Sequence, residues 1–68
     1  MERGTVKWFN EEDGYGFIVS DTSQKEFFVH NSKINTLERN LEKGDRVEFE
    51  IDTTSSKPAA KNVQLLSA

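Results

Sequence analysis

Apolar residues in this chain of 68 fall in short runs with a period near two, broken by clusters of Gly, Asp, Asn, Ser and Pro. Alternation of that kind marks strands with one buried face. Residues 5–10 are rich in β-branched and aromatic types and predict a first strand. Glu11-Glu12-Asp13-Gly14 ends it. Asp13-Gly14 between strand-like residues is a hairpin signal, because both residue types tolerate positive φ. Residues 15–20 are the return strand, and 21–25 a polar connection. Residues 26–30 predict a third strand. Residues 31–43 show no sustained period and read as a long loop with room for one helical turn. Gly44-Asp45 opens a fourth strand over 46–52. Pro58 limits the start of a fifth, 59–66, because proline cannot donate to a ladder. No helical stripe appears, and Gly4, Gly14 and Gly16 interrupt the first half. The expected fold is all-β, a small five-stranded antiparallel barrel. Closure removes exposed edges.

The faces of these strands do not match one another. In the fourth strand Val47, Phe49 and Ile51 share one face, and Arg46, Glu48, Glu50 and Asp52 share the other. That is one buried side and one wet side. In the second, Ile18 and Gly16 point inward, so Tyr15, Phe17 and Val19 point outward. In the third, Phe27 and Val29 point inward, so Phe28 and His30 point outward. In the first, Val6 and Trp8 nominally share a face, with Lys7 and Phe9 opposite. One small core cannot bury Val6, Trp8 and Phe9 together, so a bulge or a partly exposed Trp8 is required. Adjacent strands lie about 4.8 Å apart, which joins Tyr15, Phe17, Phe28 and His30 into one patch. Exposed apolar patches mark interaction sites. The alternatives are a second core or a dimer interface, but no C-terminal segment offers enough apolar area to cover the patch. A ligand that stacks fits best, because every nucleobase presents a π-face. Lys7, beside Trp8, is placed to meet a phosphate. Gly14 supplies positive φ for the turn, and Gly16 marks a bend.

Composition bounds the rest. A chain of this length builds one domain, residues 1–68, which buries only about 60% of its unfolded surface. It has no cysteine and one histidine, which excludes a disulfide and a thiolate or multi-histidine metal site. No apolar run approaches the roughly 20 residues of a bilayer span. No export signal follows Met1, so a cytoplasmic setting is expected. The net charge of −3 argues at first against nucleic acid. The acids are clustered, however, in the turn 11–13 and between residues 42 and 52, whereas 3–10 and 53–68 are basic. No nucleophile–base constellation is visible, so no enzyme activity and no cofactor are expected. Six of the seven aromatic residues lie in the first 28 positions.

Several motifs carry a family resemblance. Lys7-Trp8-Phe9-Asn10, Asp13-Gly14-Tyr15-Gly16-Phe17-Ile18 and Phe27-Phe28-Val29-His30-Asn31 resemble the first three strands of a cold-shock domain. Leu41 to Ile51 and Pro58-Ala59-Ala60-Lys61-Asn62-Val63 resemble its later strands. The resemblance runs over nearly the whole chain. It implies a five-stranded Greek-key OB-fold barrel and binding of single-stranded RNA and DNA, pyrimidine-rich and by a monomer. It assigns nucleic-acid contacts to Lys7, Trp8, Tyr15, Phe17, Phe28 and His30, with a contribution from Phe9. Lys57, in the loop before the fifth strand, is a further candidate. The family acts as RNA chaperones and as regulators of transcription and translation, often in cold stress. The chain departs from the pattern in five places. Asp13 replaces a basic residue and Asn31 an aromatic one. Phe27 replaces a smaller side chain, the loop 35–40 is short and lacks an aromatic, and the connection before Glu26 is longer. Each lost stack weakens binding by about 1–3 kcal/mol. A competing reading is an acidic adaptor whose aromatic patch binds a protein.

Overall fold

The structure is a computed structural model that describes residues 1–35, 41–54 and 57–66. Five strands make a closed barrel: β1 Glu2–Asn10, β2 Tyr15–Ser20, β3 Glu26–His30, β4 Arg46–Asp52 and β5 Ala59–Leu65. A 3-10 turn, Asn31–Lys33, follows β3. Around the barrel the order is β1-β2-β3-β5-β4, with β4 returning to β1. Four seams are antiparallel, and the closing one, β3 with β5, is parallel. That seam is short. Phe28 faces Ala59 across it, and the Phe28 N–H donates to the Pro58 carbonyl at 3.3 Å. Proline is therefore tolerated there as an acceptor, one residue before β5 begins.

The core holds Val6, Ile18, Phe27, Val29, Ile34, Leu41, Val47, Phe49, Ala60 and Val63. The conflict over Trp8 is settled by a bulge. Val6 pairs with Ile18 and Trp8 with Phe17, so Lys7 is one residue more than β2 can match. The extra residue turns Trp8 to the opposite face from Val6. Val6 is buried, Trp8 is 37% exposed, and Phe9 packs against the core from within.

Three details differ from the sequence expectation. The β1–β2 link is Glu11 to Gly14, as expected, but among its members only Gly14 has positive φ, at 77°, and Asp13 does not. Asn10 shapes the turn instead, because its side-chain oxygen accepts from the N–H groups of Glu12 and Asp13 at 2.9 and 3.2 Å. Ile51, expected inward, is 45% exposed. It lies at the barrel mouth, lining a cavity of about 350 Å³ with Phe27 and Pro58, where the core has already ended at Phe49. β1 begins at Glu2, earlier than its own pattern indicates, because Glu2 to Thr5 pair with β4. The loop 35–40 lies, apart from Asn35, outside the described residues.

One buried polar group closes the barrel wall. Ser20 is fully buried, and its hydroxyl donates to a Glu2 carboxylate oxygen at 2.5 Å. The Thr22 hydroxyl donates to the same oxygen at 2.8 Å. These bonds, Ser20 first, hold the Glu2 carboxyl below its usual range. A depressed carboxyl stabilises the fold above its unfolded pKa and loses that contribution as pH falls through the folded value. Asp52 acts in the same direction, through hydrogen bonds from Thr54. Glu2→Gln should therefore flatten the fall of melting temperature with acidification. Parallel acid profiles of parent and variant would contradict this.

Candidate nucleic-acid interface

The outward side chains of β1, β2 and β3 meet in a closed circuit of four rings. Trp8 lies 5.6 Å from Tyr15 and 5.4 Å from Phe17, centroid to centroid. Phe28 lies 5.7 Å from Tyr15, nearly parallel to it, and 5.8 Å from Phe17, edge to face. Register explains the circuit: Phe17 stands directly between Trp8 and Phe28 on neighbouring strands. Mutual contact holds the rings at little entropic cost to a ligand. Trp8 and Phe28 remain 37% exposed and offer faces to solvent.

His30 extends the array, opposite Tyr15 in the β2–β3 register. Its Nδ1 accepts the Ser32 N–H at 3.2 Å and lies 2.9 Å from the Ser32 hydroxyl. In the neutral ring this bond assigns the proton to Nε2, on the opposite edge. Lys7 is exposed, as expected for a phosphate contact, but its ammonium lies 3.2 Å from a Glu26 carboxylate oxygen. A phosphate must compete with that carboxylate, a weak opponent at an exposed site. Lys57 lines a groove of about 360 Å³ with Phe17, Glu26, Phe28, Pro58 and Ala59. Phe9 alone of the expected contact residues is not in the array; it faces the core.

Gly16 makes the array dense. A Cβ there would lie 2.2 Å from the Trp8 carbonyl oxygen and 2.7 Å from the Phe9 Cα. Only glycine lets β1 and β2 approach this closely between Trp8 and Tyr15.

The electrostatics are less favourable than the sequence pattern indicates. Arg46 is engaged by both carboxylate oxygens of Asp21 and by the Thr5 hydroxyl, at 3.0 Å from the last. Glu26, and Asp52, which the sequence pattern puts with the wet face of the fourth strand, line grooves on either side of Phe28. Sequence reasoning gave neither acid a place at the site and did not retain Lys33, which lines the groove with Asp52. Glu26 shares the outer face of β3 with Phe28 and His30, whereas Asp52 is brought in through β5 by the β3–β5 seam, and no local pattern announces a parallel pairing.

Residues 2–66 match the family model described as the 'Cold-shock' DNA-binding domain. The chain belongs to the cold-shock domain family. It is 48% identical over 62 residues to the cold shock-like protein CspE of Escherichia coli K12, covering 90% of both chains. It is 46% identical over 67 residues to the cold shock protein of Arthrobacter globiformis, covering 97% of this chain and 100% of that one. Among solved structures, drosophila Unr CSD456 superposes with a TM-score of 0.81 at 27% identity. The match covers 97% of this chain and 26% of that one. The cold-shock domain is a nucleic-acid-binding OB-fold, and the four-ring array is the feature of this member suited to that task. No helix among the described residues is long and apolar enough to cross a membrane.

Proposed function

We propose that this cold-shock domain binds single-stranded RNA and DNA by stacking bases on Trp8, Tyr15, Phe17, Phe28 and His30, with Lys7 and Lys57 meeting phosphates. The observation that carries this reading is the ring circuit, held together by its own contacts yet open at Trp8 and Phe28. Each stacked base contributes about 1–3 kcal/mol, largely independent of its identity. Pyrimidine-rich strands are favoured ligands, because weakly self-stacked bases lose least on being drawn apart. The chain acts as a monomer and one domain, residues 1–68, in the cytoplasm.

An RNA-chaperone role follows from the same surface. Bases inside a duplex hide their faces against one another, so the platform engages only unpaired strands. A ligand that binds one of two states draws the equilibrium towards it by mass action. Weak hairpins therefore open, and hairpins that stall transcription or translation in the cold are the natural regulatory targets. Adding the protein to a fluorophore–quencher hairpin with a short stem should lower its melting temperature. A hairpin that melts unchanged while unpaired oligonucleotides bind would remove the chaperone role and leave the binding.

Asp13 limits affinity. It is exposed in the β1–β2 turn, held by a 3.0 Å bond from the Asn10 side-chain amide. Asp13→Lys should strengthen binding, more at low salt than at high, and steepen the log–log salt slope by about 0.7. No gain at low salt would place residue 13 beyond reach of the strand.

A further inference from the structure

A second groove, of about 270 Å³, lies at Phe28, His30, Lys33, Asp52, Ala59 and Ala60. It shares Phe28 and Ala59 with the groove beside Phe17, so Phe28 is a wall of both. The two differ in chemistry. This one has an apolar base in Ala59 and Ala60 and three polar groups: an imidazole, an ammonium and a carboxylate.

The carboxylate is fixed and charged. The Thr54 hydroxyl and N–H both donate to Asp52 Oδ1, at 2.6 and 2.9 Å. Those bonds, hydroxyl first, push the Asp52 pKa down, and Lys61 and Lys33 add to the effect. At neutral pH this group accepts hydrogen bonds and cannot donate them. His30 is oriented by Ser32 at Nδ1, which makes Nε2 its outward donor.

An aromatic wall, one obligate acceptor and one donor match the edge of a nucleobase, and the acceptor decides which base. Cytosine and adenine carry an amino group beside a ring nitrogen with a lone pair. The amino group donates to a carboxylate, and the ring nitrogen accepts from an imidazole N–H. Uracil and thymine put a carbonyl where the amino group would be. A carbonyl against a carboxylate leaves two acceptors with no proton between them, a desolvated clash.

We propose that the β3–β5 groove is a base-selective subsite for cytosine or adenine, read by Asp52 through the exocyclic amine and by His30 Nε2 through the ring nitrogen, with Lys33 meeting the adjoining phosphate. It deepens the single-strand reading and rests on it. The platform accepts any base, and the groove makes one step of the strand selective against uracil and thymine.

The test is a position scan followed by Trp8 fluorescence. The probes are an oligo-dT of about seven nucleotides, within the site size of such barrels, and variants with cytosine or adenine at each position in turn. One position should gain about fivefold or more in affinity from either substitution. Asp52→Asn, whose amide both donates and accepts, should erase that gain while oligo-dT affinity stays equal or rises. Its melting temperature, measured alongside, separates a loosened turn from a lost acceptor. Equal affinity at every position in the parent, or a preference that survives Asp52→Asn in a folded variant, would overturn the subsite while oligo-dT binding still supports the platform. Failure of every oligonucleotide to bind would overturn both.

Discussion

Phe28→Ala is expected to weaken oligo-dT binding by about 1–3 kcal/mol, roughly 5- to 150-fold, with the barrel intact. Phe28 is the hub of the interface. It touches Tyr15 and Phe17, and it walls the grooves on both sides. Its ring stands outside the barrel, 37% exposed, so truncation opens no core cavity. The seam to β5 survives because Phe28 contributes its backbone N–H there, not its side chain. The stability cost is limited to two ring contacts, about 0.5–1.5 kcal/mol each. Titration well below the melting temperature therefore isolates the binding effect. Parent-like affinity would mean that no base stacks at this position.

Gly16→Ala is expected to be the most damaging small substitution. The new methyl would meet the Trp8 carbonyl oxygen at 2.2 Å and the Phe9 Cα at 2.7 Å. Both are backbone atoms, so no rotamer change relieves the contact and β1 must move away from β2. Overpacking of this kind costs about 1–3 kcal/mol and sometimes more. A domain of this size has only about 3–10 kcal/mol in total. The displaced strand carries Trp8, so binding should fall along with stability. Urea midpoints of parent and variant measure the first effect, and oligo-dT titration the second. An unchanged midpoint would show that the two strands separate at no cost.

Local pattern was enough for most of the elements. Turn signals bound residues 15–20, 26–30 and 46–52, the observed strands β2, β3 and β4, and successive side chains along a strand alternate between its faces. The same alternation placed Phe27 and Val29 inside and Phe28 outside, as found. Around Trp8 the pattern contradicted itself, and that contradiction pointed to the bulge at Lys7. What local pattern could not supply was anything set by closure. The start of β1 depends on pairing with β4, forty-odd residues away. The exposure of Ile51 depends on where the barrel ends. The parallel β3–β5 seam puts Asp52 in one groove with His30, although alternation alone files Asp52 with the wet face of β4. The contact residues on β1, β2 and β3 were legible because hairpin neighbours are neighbours in sequence. Asp52, which reaches them only through β5, was not.

The central claim is that stacking, not charge, supplies most of the affinity. Quenching of Trp8 fluorescence by oligo-dT, followed across a series of salt concentrations, tests it most directly. The array has few cations, and Lys7 already faces Glu26. The account predicts strong quenching and a shallow log–log slope, about −0.7 for each of one to three phosphates. A steep slope with little quenching would mean that phosphates hold the strand and the rings do not. No binding at any salt concentration would contradict the account outright and leave the aromatic face to a protein partner.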